Sequence, residues 1–320
     1  MTGLTPRPAR ALSSSAHDRF SSQSPRLGPP RGVLHAHPPA PNGTTHHDRV
    51  APSAALAHSI AHFWSVQWAL RAPFTAATLP HPTVHILFES QQSRRAPTAE
   101  VSGVPRARFE RTLHGDGWVF GIKFRPACFH PVLGRSLHTL TGKVVPIEDL
   151  FGAPGIELGR LIASLPDTAA RIDASEAFLR PRLERPPVEI ARVRDLVERI
   201  SEDRTLVRVE DVARIARVDV RTLQRQFQRF VGVTPKWVLA RYRLHEAAER
   251  LKAPSPPSLA DLALALGYSD QAHFARDFKR VVGASPSAYI QSVHAAPVSA
   301  GSTAAARAPS RSASSPRTRA

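Results

Sequence analysis

The feature that most restricts this chain is an internal repeat across residues 205–295. Leu223, Phe227, Gly232 and Pro235 return 51 residues later as Phe274, Phe278, Gly283 and Pro286. Asp211-Val212-Ala213 returns 50 residues later as Asp261-Leu262-Ala263. Recurrence at one period marks a duplicated supersecondary unit. The offsets differ by one, so the second copy carries one extra residue between its helices, in a turn where length can vary.

Each copy reads as helix–turn–helix. In the first, Val209–Ala216 is a short helix, Asp219 is a cap, and about Val220–Val231 is a second helix that buries Leu223, Phe227 and Phe230. An Asp before a helix accepts bonds from its unpaired first N–H groups. In the second copy Leu259–Leu266 is the short helix, Gly267 supplies a left-handed exit, Ser269 or Asp270 caps, and Gln271–Val282 buries Phe274, Phe278 and Val281. Thr234-Pro235 and Ser285-Pro286 each place a hydroxyl at a cap and a proline at the first turn, where its missing N–H costs nothing. Pro235–Lys252 is then a long helix joining the copies. Its Trp237, Leu239, Tyr242, Leu244, Ala247, Ala248 and Leu251 are expected to pack on both units and fix their mutual angle.

The rest of the chain is of a different kind. The runs Ala61–Leu70, Thr83–Glu89, Glu100–Val104 and Val119–Phe124 are rich in β-branched and aromatic residues and are separated by Gly, Pro or Asp, so they read as strands. Helical patterning takes over from 146 to 183, with a second helix at about Ala169–Leu183. Arg185-Pro186-Pro187 is a stiff linker. Val188–Glu202 follows as an amphipathic helix with Ile190, Val193, Val197 and Ile200 on one face. The expected fold class is therefore α+β in two domains: a mixed, β-rich N-terminal domain with trailing helices over 51–185, and an all-α domain of two helix–turn–helix units over 186–295. Residues 1–50 and 296–320 are rich in Ser, Pro, Ala and Arg with little apolar periodicity, and both are expected to be disordered basic tails. The first of them has the composition of an organelle transit peptide, although a floppy start in an Arg/Ala/Pro-biased proteome explains it more simply.

The formal net charge is +17. The excess falls mostly in the two tails and in 205–295, a distribution that suits a polyanionic partner. A single Cys excludes an intrachain disulfide and a Cys-rich metal site, and no apolar run is long enough to span a bilayer, so no membrane partner is expected. The outward faces of the two second helices suit DNA. Arg221, Gln224, Arg225 and Gln228 lie on the first, and Gln271, Ala272, His273, Arg276 and Lys279 on the second. Arg can donate two bonds to a guanine edge and Gln can pair with adenine, each worth roughly 1–3 kcal/mol of discrimination. Arg229, Lys236, Arg241, Arg243 and Arg280 are expected on phosphate or water.

The strings Leu223-Gln224-Arg225, Gly232-Val233-Thr234-Pro235 and Leu266-Gly267-Tyr268-Ser269-Asp270-Gln271-Ala272-His273-Phe274 resemble the DNA-binding domain of the AraC/XylS family of bacterial transcription regulators. The resemblance covers about 188–293. It implies that helices 220–231 and 271–282 read bases in double-stranded promoter DNA through Arg221, Gln224 and Arg225, then Gln271, Ala272, His273 and Arg276. Ala272 has no polar group to offer, so the second unit is expected to read fewer bases. Arg217 stands where the family often has a small residue. Phe63-Trp64-Ser65-Val66, Gly121-Ile122-Lys123-Phe124-Arg125-Pro126 and Val145-Pro146-Ile147-Glu148-Asp149-Leu150-Phe151-Gly152 resemble a domain often found ahead of such DNA readers. By analogy it senses a small-molecule effector or forms a homodimer. The resemblance further implies a cytoplasmic, nucleoid-associated protein, contact with RNA polymerase, no catalytic residues and no cofactor.

Two other functions remain open on residues alone. One is a metal-dependent, cupin-like enzyme or small-molecule-binding protein, for which His81, His85 and Glu89 could share a strand face as a two-His-plus-carboxylate set. The other is a nonspecific nucleoid or RNA-coating protein driven by the Arg tails. His46-His47 could hold an ion weakly from the first tail. Cys128 could be a redox sensor but is better read as inert packing, and Arg125 with His130 could hold an anion but suit a structural role better.

Overall fold

The computed structural model describes residue 27, residues 32–35 and residues 42–294. Strands are β1 (Val33–His35), β2 (Gly43–Val50), β3 (Ile60–Leu70), β4 (Phe74–Thr78), β5 (His85–Gln91), β6 (Thr98–Ser102), β7 (Phe109–Leu113), β8 (Asp116–Phe124) and β9 (Val144–Pro146). They form an antiparallel six-stranded sheet in the order β2-β3-β8-β5-β6-β9 and a three-stranded sheet in the order β1-β4-β7. One face of the large sheet carries Phe63, Phe88, Phe120, Ile122 and Phe124 against Leu137, Ile147, Leu158, Ile162 and Leu179. The last three come from α2 (Glu148–Ser164) and α3 (Thr168–Leu179), which follow α1 (His130–Leu133). At one end of the opposite face, Trp68, Val66 and Val119 meet Leu113, Phe74 and Ala76 of the small sheet.

Disorder over 1–50 is corrected where that segment is described. Gly43–Val50 pairs along its whole length with Leu70–Phe63, so the sheet begins inside the presumed tail. Alternation of Thr, His and Arg hid this strand: only its last residue, Val50, is fully buried, so the strand lacks an apolar row. His46-His47 is accordingly in β2, where His46 Nε2 lies 3.1 Å from Asp48. The transit-peptide composition and the tail at 296–320 lie outside the described residues.

The helical region continues with α4 (Val188–Glu202), α5 (Val209–Ala216), α6 (Val220–Gln226), α7 (Pro235–Leu251), α8 (Leu259–Ala265), α9 (Gln271–Val282) and α10 (Pro286–His294). Its two units have separate cores, and α7 serves both. Val238 and Leu239, in its first half, join Val193, Val197, Val212, Leu223, Phe227 and Phe230. Leu244, Ala247, Ala248 and Leu251, in its second half, join Leu262, Phe274, Phe278, Val281 and Tyr289. That division is what the long joining helix was expected to provide.

The β-rich region is packed against both units. Val104 and Ala127 enter the first unit's core. Leu34, Ala77 and Leu79 enter the second's. Ala127 has φ 66°, a left-handed conformation that costs a non-glycine residue roughly 1–2 kcal/mol, and burial in this junction holds it. The Pro186-Pro187 linker therefore divides the sequence without separating the packing.

Candidate nucleic-acid interface

The repeat seen in sequence is a repeat of local geometry. Val218 N–H donates to Ala213 O at 3.2 Å and Tyr268 N–H to Ala263 O at 3.0 Å, the same C-terminal closure in both short helices. Asp219 accepts from Thr222 N–H at 2.8 Å, and Asp270 from His273 N–H at 2.7 Å. Those bonds to the charged form hold both carboxyls below their ordinary pKa. Thr234 caps α7 through Trp237 N–H, and Ser285 caps α10 through Ala288 N–H, each at 3.2 Å.

These caps set the rotation of α6 and α9. Leu223, Phe227, Phe274 and Phe278 are fully buried. The opposite face is then solvent-facing by helical periodicity. Arg221, Gln224, Arg225 and Gln228 are exposed, as are Gln271, Ala272, His273, Arg276 and Lys279. Arg214 and Arg280 are each paired within their helix, to Asp211 and Asp277. Among the described residues, by contrast, Arg221, Arg225, Arg276 and Lys279 have no carboxylate within ion-pair distance. A cation with no internal partner is available to an external anion or base edge without first breaking a bond. His273 is partly committed: its Nδ1 lies 3.3 Å from Ser269 Oγ and its ring meets Tyr268 edge-on at 5.2 Å.

Two of the residues expected on phosphate or water make contacts within the fold. Arg241 donates to Arg106 O across the junction at 3.2 Å and lies over Trp237, and burial lowers its pKa to about 10. Arg243 donates to Leu266 O at 3.4 Å and lies over the Tyr268 ring. Lys236 is exposed, and so is Arg229, which lies over Phe230.

Sequence reasoning missed the far ends of α6 and α9. After Gln226 the first helix widens into a π-helical turn, Phe227–Val231, closed by Gly232 N–H on Phe227 O at 2.9 Å. Thr141 Oγ1 donates to Gly232 O at 2.6 Å, His138 Nδ1 lies 3.2 Å from the same oxygen, and Ser136 Oγ donates to Gln228 O at 3.3 Å. At the corresponding end of α9, Arg108 donates to Val282 O at 2.6 Å and pairs with Glu110. The β-rich region therefore holds the C-terminal end of each exposed helix. No local motif signals these contacts, because each joins residues more than 90 positions apart.

The other constellations resolve into structure. His81, His85 and Glu89 are not brought together: His81 packs on His245 of α7 with centroids 4.4 Å apart, while Glu89 pairs with Arg111 of β7. Among the described residues there is no cluster of three or more His, Cys, Asp or Glu arranged to hold a metal. Arg125 is tied to Glu198 of α4 at 2.5 Å and to Ala57 O at 2.8 Å, and His130 stacks edge-on against Phe230. Cys128 is buried and its thiol is pushed up to about 11 by desolvation, which keeps it protonated at neutral pH. Among the described residues no helix is long and apolar enough to cross a membrane.

Residues 212–292 match a family described as "Helix-turn-helix domain", and residues 48–146 match "Domain of unknown function (DUF6597)". An "Uncharacterized HTH-type transcriptional regulator" of Haemophilus influenzae is 38% identical over 85 residues, covering 27% of this chain and 28% of the relative. The "HTH-type transcriptional activator RhaS" of Pectobacterium carotovorum is 40% identical over 67 residues, covering 21% and 24%. The matched segment thus spans about a quarter of the length of these curated relatives. Similar solved structures include a probable AraC family transcriptional regulator from Rhodopseudomonas palustris, with TM-score 0.30 and 29% identity over 32% of this chain and 96% of that one. ToxT from Vibrio cholerae has TM-score 0.36 and 11% identity over 78% of this chain and 98% of that one.

Proposed function

The chain carries an AraC-type helix–turn–helix domain at its C-terminal end, and from that premise we propose that it is a sequence-specific DNA-binding transcription regulator. One observation carries the reading. Two helices in the same local frame expose Arg, Gln and Lys side chains that form no ion pair within the described structure. α6 reads one major-groove segment of promoter DNA through Arg221, Gln224, Arg225 and Gln228. α9 reads the adjacent segment through Gln271, His273, Arg276 and Lys279. Ala272 offers only apolar contact, for instance to a thymine methyl. Lys236 and Arg229 serve phosphates, a sequence-independent and salt-sensitive term. Residues 51–185, together with β2, modulate this activity through a small-molecule effector or a homodimer contact, and the bound protein works beside RNA polymerase at the nucleoid. No catalytic role is assigned.

Selection from random duplexes, followed by titration of the chosen site, tests this. Affinity for the chosen site is expected to exceed that for random DNA by at least ~10³. Arg225→Ala and Arg276→Ala should each relax preference at one position in separate half-sites, at a cost of roughly 1–3 kcal/mol. Equal weakening on every sequence would remove the base-reading assignment. Binding that vanishes with the Arg-rich termini alone would favour the coating reading.

A further inference from the structure

The inference concerns the start of α9, where the two units differ at one position of the repeat. His273 lies 51 residues after Thr222, so the two occupy the same place on the exposed helices. Each gives its backbone N–H to the capping aspartate, Thr222 to Asp219 and His273 to Asp270. Beyond that shared bond they diverge. Thr222 Oγ1 turns back on the cap and donates to Asp219 Oδ2 at 2.7 Å. The His273 ring reaches past its cap: Nδ1 lies 3.3 Å from Ser269 Oγ, and the ring meets Tyr268 edge-on with the planes at 89°. Ser269 stands where the first unit has Val218, which carries no polar group for such a bond.

The protons of this network can be counted. Asp270 is ionised at neutral pH, because the bonds from His273 N–H and from Ser269 hold its carboxyl below the ordinary value. An ionised carboxylate only accepts. Ser269 therefore gives its one hydroxyl proton to Asp270 Oδ2, at 3.1 Å. Its oxygen then has only lone pairs to turn toward His273, so the proton between them sits on Nδ1. A neutral imidazole carries a single ring proton, and the bond made at one nitrogen sets the state of the other. Nε2 is left with a lone pair. His273 is exposed, and among the described residues its Nε2 has no hydrogen-bond partner. Ala272 beside it brings no polar group, so this lone pair is a large part of what the first turn of α9 presents.

We propose that Asp270 and Ser269 lock His273 as a hydrogen-bond acceptor, and that the second unit thereby selects a base with an exocyclic amino group, adenine or cytosine, at the position His273 meets. In the major groove adenine N6 and cytosine N4 donate, whereas guanine shows the acceptors N7 and O6 and thymine the acceptor O4. An acceptor set against an acceptor leaves both without a bond in a desolvated contact. Asp270 and Ser269 are positioning residues, since each acts on the base through His273. In placing α9 in the groove the proposal rests on the function proposed above, and it adds what one of that helix's side chains reads.

The test uses the full chain and two independent readouts. In the free protein, ring-nitrogen NMR of labelled histidine, above the ordinary histidine pKa, should show His273 protonated at Nδ1 and bare at Nε2; the signals missing from His273→Gln identify it. On DNA, the selected site is varied through all four bases at the position where His273→Ala loses its preference. Adenine or cytosine should bind there about three- to tenfold more tightly than guanine or thymine, the value of one net hydrogen bond. Asp270→Asn is the sharpest variant. Its Oδ1 still caps His273 N–H, but its amide donates to Ser269, whose proton then turns to Nδ1 and makes Nε2–H a donor. Preference should move to guanine. Ser269→Ala removes the lock, and the preference should shrink while affinity for random DNA stays the same. A ring protonated at Nε2 in the free chain, no position at which His273→Ala loses preference, or a preference for guanine or thymine there overturns the proposal and leaves α9 a DNA reader. So does a base preference kept intact by both Asp270→Asn and Ser269→Ala. No selective binding to any duplex overturns the proposed function, and the proposal with it.

Discussion

The two helix–turn–helix units share their closing bonds, their caps and a buried apolar pair, Leu223 with Phe227 and Phe274 with Phe278, yet they differ where the chain must leave a short helix and where a neighbour grips the long one. The exit residue is Arg217 in the first unit, with φ 55°, and Gly267 in the second, with φ 74°. The first exposed helix ends in a π-helical turn, and the carbonyl of the Gly232 that closes it accepts from a buried Thr141. The second stays regular and its last carbonyl meets the half-exposed Arg108. A duplicated fold thus keeps the contacts made within each unit, and it diverges in the contacts each unit makes with the rest of the molecule.

The comparison can be broken most forcefully in the cores. Phe227→Ala and Phe278→Ala each remove a fully buried ring, and each should cost roughly 3–5 kcal/mol by urea unfolding. Because the β-rich region enters both cores, both variants should still unfold in one transition. Two separated transitions would show that the units are energetically independent.

The junction comes next. Thr141→Val deletes the bond to Gly232 O in a buried setting and should cost about 1–2 kcal/mol. Arg108→Met, at a wetter contact, should cost less than about 1 kcal/mol. The reverse order, measured by the same unfolding curves, would mean that the second unit is the more tightly held.

A smaller effect of opposite sign is expected at the exits. Arg217→Gly should stabilise by about 1 kcal/mol, since glycine adopts the left-handed region without the Cβ penalty. Gly267→Arg should destabilise by a similar amount. Should Arg217→Gly leave the melting temperature unchanged, other contacts of Arg217 offset its strain.

The caps provide the smallest and most symmetric test. Asp219 and Asp270 are both depressed below the ordinary carboxyl pKa in the folded chain. Their contribution is therefore complete above the unfolded value near 4 and is lost as pH falls through the lower folded values. Asp219→Asn and Asp270→Asn should each flatten the acid limb of stability against pH by a similar amount. A change in only one of them would mark unequal caps.

Much of this could be read from the sequence because the informative interactions are short-range. Asp219 reaches Thr222, Asp270 reaches His273, and Thr234 reaches Trp237, all three residues away. Such contacts leave their mark as spacing. β4 and β7 escaped notice because Phe74–Thr78 and Phe109–Leu113 are short and carry little apolar alternation. β2 escaped because its pairing with β3, not its own hydrophobicity, makes it a strand. The internal bonds of Arg241 and Arg243, expected on phosphate or water, are not legible because a helix wheel cannot show that Arg106 and Leu266 stand opposite them.

The amino-acid order alone determined that two like units exist, which side of each second helix is buried, and which polar groups stand exposed on the other side. Periodicity and capping act within a few residues, so they are written along the chain. The folded molecule decided that the β-rich region grips the ends of both exposed helices, and that β2 joins the large sheet beside β3. Those outcomes depend on which distant backbones pair and in what register, and a one-residue slip would turn every such side chain to the other face.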